Sequence, residues 1–164
     1  MSTKDIKELE ELAKNGDVGA IYELGKIYYN GTGVVVDFEK ARRYFEVAVE
    51  RGSEGSNYFL GKIYYNGNCV ETNHLKAKEY FEKSAKADYI FSKYYLGKLY
   101  YWGDGVDKND IKAEEYKSFV LKQSLYSDKK TSLEEFYSIP DLEEKTKDYV
   151  QELQNKVLLE YRNL

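Results

Sequence analysis

The chain has 164 residues, 42% hydrophobic and 33% charged, with a formal net charge of -4, which suits one domain of ordinary size with its own core. No stretch approaches the roughly 18 apolar residues of a membrane span, and the opening residues lack the apolar core of a signal peptide, so a cytoplasmic location is expected. The single cysteine excludes an intrachain disulfide framework and a cysteine-rich zinc site, and the mild acidity, with a pI near 5.3, argues against nucleic acid as a partner.

Residues 1–16 open the chain with Ile6, Leu9, Leu12 and Ala13 at helical spacing among Lys and Glu, which predicts a lone capping helix stopped at Gly16. From Asp17 onward the sequence repeats with a period of 36, giving rows 17–52, 53–88 and 89–124. The columns include Leu24, Leu60, Leu96; Gly25, Gly61, Gly97; Tyr28, Tyr64, Tyr100; Tyr29, Tyr65, Tyr101; Ala41, Ala77, Ala113; and Tyr44, Tyr80, Tyr116. An excess of 18 tyrosines is therefore largely architectural.

Each row holds two helical patterns, Ala20-Leu24-Ile27 and Ala41-Phe45-Ala48 in the first, parted by a glycine turn such as Gly31-Thr32-Gly33. Glycine tolerates the positive φ that ends a helix, and Asp37, Asn73 and Asn109 stand where an N-cap opens the second helix. Gly25 and its equivalents lie inside the first helix at a cost of about 1 kcal/mol each, which predicts close approach of the paired helix. Beyond residue 124 the period is lost. Pro140 breaks the chain, and Asp141 can cap a helix with Leu142, Thr146, Tyr149, Leu153, Val157 and Tyr161 on one stripe. That helix, within an irregular segment over 125–164, is expected to cover the last repeat or to bind a partner or a second copy of the chain.

The pattern Ala-x-x-x-Leu-Gly-x-x-Tyr-x-x-Gly-x-Gly-Val-x-x-Asp-x-x-Lys-Ala-x-x-Tyr-Phe resembles the Sel-one-like repeat, a relative of the tetratricopeptide repeat. The first row matches throughout, the second departs at Ser56, Cys69 and Asn73, and the third at Ser92, Asn109 and Lys117. The resemblance implies an all-α, right-handed superhelical solenoid of antiparallel helix pairs, whose first helices line the concave surface and whose role is to bind other proteins.

Residues with chemistry are few. His74 alone cannot form a multi-histidine metal site, and Cys69 occupies a glycine column in a turn. Ser127 and Lys130 have the Ser-x-x-Lys spacing of penicillin-recognising enzymes but lack the accompanying elements, which makes a hydrolase the weaker alternative. No catalysis, metal or cofactor is expected. The stripe that recurs without a packing duty is Tyr22, Lys26, Tyr29; Tyr58, Lys62, Tyr65; and Tyr94, Lys98, Tyr101, extended at one end by Asn30, Asn66 and Trp102. Because lysine is rarely buried, the stripe is expected to face water and to line a groove for a peptide or protein segment with acidic groups.

Overall fold

The computed structural model describes residues 3–126, which form seven α-helices and no strand: α1 (Thr3–Lys14), α2 (Val18–Asn30), α3 (Phe38–Glu50), α4 (Glu54–Asn66), α5 (His74–Lys86), α6 (Ile90–Trp102) and α7 (Asp110–Tyr126). Consecutive helices pack in antiparallel pairs, α2 with α3, α4 with α5 and α6 with α7, and each second helix also packs on the first helix of the next pair. α1 covers α2 as a second helix would. The expected α-solenoid is the observed fold. The C-terminal stripe, Ser127 and Lys130 lie outside the described residues.

The boundaries follow from the turn chemistry. Each first helix ends at a glycine with φ near 70° (Gly31, Gly67, Gly103), whose N–H donates to the carbonyl of Ile27, Ile63 or Leu99. Six residues on, Asp37, Asn73 and Asn109 donate their N–H to the carbonyls of Tyr28, Tyr64 and Tyr100 at 2.8–2.9 Å. Their side chains accept from the N–H of Lys40, Lys76 and Lys112, satisfying donors that the first turn leaves orphaned.

Leu24, Leu60, Leu96, Ala41, Ala77 and Ala113 form buried rows through the array. Between the paired helices the glycine column accepts a ring. A Cβ on Gly25 would stand 2.6 Å from Phe45 and one on Gly61 2.5 Å from Phe81, so only glycine lets the ring lie flat against the helix. Phe45 and Phe81 are then sandwiched by the next repeat, stacking on Phe59 and Tyr95 at 4.7 Å between centroids. In the third repeat this column carries Lys117, which is also buried.

A second column links tyrosine to lysine across each pair. The Lys40 ammonium donates to the Tyr28 hydroxyl at 2.6 Å and Lys76 to Tyr64 at 2.8 Å, while Lys112 lies 4.8 Å from the Tyr100 ring. The same tyrosines stack nearly parallel on Tyr44, Tyr80 and Tyr116, at 5.6–6.1 Å. The phenol oxygens hold the Lys40 and Lys76 ammonium groups above the usual lysine pKa. Tyr28 in turn donates to Glu10 of α1 at 3.4 Å, so the network also ties the opening helix to the first repeat.

Candidate functional site

The first helices lie on the inside of the curve: α4 and α6 touch although α5 separates them in sequence. The water-facing stripe there is not quite the expected one. Tyr29, Tyr58 and Tyr94 are buried, because this part of each first helix turns toward neighbouring helices rather than outward. Tyr29 contacts Phe38 and Phe45 of α3 and Phe59 of α4 edge-on, at 5.3–6.4 Å. Lys98, expected in water, retains 7% exposure because Tyr65, Tyr94 and Tyr95 surround its ammonium at 5.0–6.0 Å. The aromatic faces supply negative potential in place of part of the lost hydration.

The inner face is instead drawn by the neighbouring register, Gly19, Glu23, Lys26, Asn30 in α2, Gly55, Lys62, Asn66 in α4 and Phe91, Trp102 in α6, with Phe59, Tyr95 and Lys98 of the same register buried beneath it. Of the expected residues, Asn30 and Asn66 are exposed there and Lys26, Lys62 and Trp102 are partly exposed; Tyr22, Tyr65 and Tyr101 flank the face and are also partly covered. The three lysines form a row. Lys26 pairs with Glu23 at 2.9 Å and lies 5.1 Å from the Tyr22 ring. Lys62 sits over Tyr29 of the preceding repeat at 4.9 Å and over Tyr58 at 5.6 Å. Each lysine of repeats 2 and 3 thus bridges two repeats through rings.

The face changes character along the array. The residue three before the lysine is the partly exposed Glu23 in repeat 1 but a buried ring, Phe59 or Tyr95, in repeats 2 and 3, and the last residue of the face is Asn30, Asn66, then Trp102, which meets Tyr101 edge-on at 4.6 Å. Sequence reasoning missed Glu23, Tyr89 and Phe91 as inner-face residues, because a 100° step per residue leaves the rotation of each helix about its axis to tertiary packing. The available signal was the abrupt column change from Asp17 and Ser53 to Tyr89 and from Gly19 and Gly55 to Phe91.

The candidate reactive groups are scattered. His74 opens α5 with its ring 5.1 Å from Tyr65, and Cys69 sits exposed in its turn at φ 61°. Partial desolvation by its turn raises the pKa of the Cys69 thiol, away from the thiolate that nucleophilic chemistry requires. Among the described residues no three His, Cys, Asp or Glu side chains gather as a metal site, and no helix is long and apolar enough to cross a membrane.

Paired antiparallel helices stacked at a fixed period, with glycine turns and a first-helix inner face, define an α-solenoid repeat protein. The Sel1 repeat model matches residues 18–53, 55–89 and 90–116, and the chain belongs to the Sel1 repeat family, generally one of protein–protein interaction scaffolds. The chain is similar to a Sel1 repeat protein from Oxalobacter formigenes, at 28% identity and a TM-score of 0.63 over 91% of this chain and 98% of that one. It also resembles a protective antigen of uropathogenic Escherichia coli displaying an SLR fold, at 27% identity and a TM-score of 0.67 over 73% of this chain and 26% of that one. Cysteine-rich protein B of Helicobacter pylori shares the fold at 24% identity and a TM-score of 0.55, over 75% of this chain and 92% of that one. No curated protein matches the chain.

Proposed function

We propose that the chain is a non-catalytic adaptor whose inner face binds a segment of a partner protein carrying acidic side chains. The observation behind this reading is the lysine that recurs at one position of every first helix, Lys26, Lys62 and Lys98, bordered by Asn66, Tyr65, Tyr101 and Trp102. Positive charge in a row on an otherwise acidic protein selects by sign, while rings beside it provide contact area with little side-chain entropy to lose. Lys26 and Lys62 carry the electrostatic part. Lys98, sunk among three rings, serves mainly to shape the wall on which Trp102 stands.

A fluorescein-labelled oligoglutamate of about ten residues tests the reading, because at ~3.3 Å per residue it can span three first helices spaced ~9 Å apart. Binding followed by anisotropy should weaken as salt rises. Each exposed lysine–carboxylate contact is worth about 0.2–1 kcal/mol, so Lys26→Ala with Lys62→Ala should lower affinity several-fold, while Trp102→Ala should cost about 1–2 kcal/mol as an aromatic anchor. Wild-type affinity in both variants at low salt would remove the inner face as the binding surface.

A further inference from the structure

The first helices of repeats 1 and 2 end on the same dipeptide, Asn30-Gly31 and Asn66-Gly67, where repeat 3 has Trp102-Gly103. Both asparagines are exposed, and each stands four residues after the lysine of its helix, so Asn30 shares a face with Lys26 and Asn66 with Lys62.

An asparagine followed by glycine has a reaction of its own. The glycine nitrogen, once its proton is lost to water, attacks the side-chain carbonyl carbon: an N–Cγ bond forms, the Cγ–Nδ2 bond breaks, and ammonia leaves. Water then opens the resulting five-membered imide. Breaking the new N–Cγ bond gives aspartate; breaking the bond from that nitrogen to the main-chain carbonyl gives isoaspartate, with the backbone rerouted through the side chain. By either route one amide and one water become a carboxylate and an ammonium ion, and no oxidant or cofactor is required. Glycine favours the attack because no Cβ shields its nitrogen.

The fold sets the rate. Gly31 and Gly67 donate that same N–H to the carbonyls of Ile27 and Ile63, and the residues after them, Thr32 and Asn68, donate to the same two oxygens at 3.0 Å. The attack has to wait until the last turn opens, which breaks both bonds and releases Asn30 or Asn66 from helical backbone angles. Such ends fray more readily than the helix body, and two net hydrogen bonds slow a step that needs the opening by about five- to a hundredfold.

We propose that Asn30 and Asn66 are sites of spontaneous deamidation, gated by opening of the helix ends, and that conversion weakens the inner face for acidic segments by setting a carboxylate one turn from Lys26 and Lys62. The effect on binding rests on the acidic-segment reading above; the deamidation does not. Repeat 3 has Trp102 at this position and is spared, so the change falls on the two lysines that carry the electrostatic part of binding. The face would keep its aromatic end and lose positive charge as the molecule ages.

Two measurements separate the parts. Peptide mapping by mass spectrometry, on protein kept at mildly alkaline pH, follows conversion at both asparagines in the folded chain and in the same chain unfolded in urea. The folded chain should convert about five- to a hundredfold more slowly. Equal rates overturn the gate, and asparagine retained at both positions far beyond about a hundred times the unfolded half-life overturns the sites. In the second measurement, Asn30→Asp with Asn66→Asp should lower oligoglutamate affinity several-fold at low salt. Asn15→Asp with Asn73→Asp, which adds the same charge in the turns before α2 and α5, should cost clearly less. Wild-type affinity in the first variant, or equal losses in the two, overturns the effect on binding. A peptide that binds neither variant nor wild type refutes the acidic-segment reading and the effect on binding with it, and leaves the mapping to decide the deamidation.

Discussion

Repeats 1 and 3 follow one plan and solve its packing in opposite ways. Repeat 1 is capped by Asp17, keeps its inner face small and polar at Gly19, Glu23 and Asn30, and fills the glycine notch with Phe45. Repeat 3 gives up the side-chain cap, lines the ends of the same face with Phe91 and Trp102, and puts Lys117 in the phenylalanine column. Aromatic mass has moved from the interior of the helix pair to the inner face. The period preserves the backbone, and the side chains that vary within it decide which surface is sticky.

The sharpest way to break this comparison is to remove the ring that repeat 2 shares with repeat 1. Phe81 is fully buried, lies against Gly61 and stacks on Tyr95, so Phe81→Ala should cost about 3–5 kcal/mol in urea unfolding. Lys117→Ala, at the same column, should cost clearly less, since most of what it loses is a flexible stem. Next comes the notch itself: Gly61→Ala drives a methyl into the Phe81 ring and Gly25→Ala one into the Phe45 ring, and each should cost about 1–3 kcal/mol. Thermal unfolding of the two alanine variants in parallel checks this, and an unchanged midpoint in either would mean that the ring does not seat on the glycine.

Smaller effects sharpen the contrast at the helix starts and in alkali. Asp17→Ala should cost about 1 kcal/mol, read from denaturant midpoints, while Tyr89→Ala should change stability through ring contacts, with no cap to lose. Burial raises the phenol of Tyr58 well above its ordinary value of 10.0. The unfolded chain therefore loses that proton first, so its contribution to stability is complete below pH 10 and declines as pH climbs toward the folded value. Phenolate absorbance in Tyr58→Phe should lack one late-titrating group, and that variant should lose less stability in mild alkali than wild type.

Much of the fold was readable because identity at fixed intervals reports on backbone demands that cannot slip. A glycine at Gly31, an N-cap at Asp37 and a notch at Gly25 each admit few residue types, so their columns carried the helix limits and the pairing. The inner face was less legible. Tyr22, Lys26 and Tyr29 lie within one helical stripe, but a rotation of some tens of degrees decides whether Tyr29 meets water or Phe59, and that rotation is set by helices elsewhere in the array. Lys98 was misplaced for a related reason: its burial depends on Tyr65, Tyr94 and Tyr95 closing round it, and two of those rings also serve to pack the repeats. The lysine of Lys40 and Lys76 was visible as a column, yet its partner twelve residues away across the turn was not.

Lys117 bears on how such a molecule can lengthen. Arrays of this kind are extended by tandem duplication, and a copied unit inherits the seam that its predecessor presents. At the two seams between the repeats of the described residues the seam is a flat ring, Phe45 under Phe59 and Phe81 under Tyr95, both at 4.7 Å. A further unit of the same pattern stacked on α7 would find an alkyl ammonium in that place and no ring to lie on. Growth at that end would first need phenylalanine in place of Lys117, whereas duplicating repeat 1 or repeat 2 in the interior would reproduce a seam that already fits.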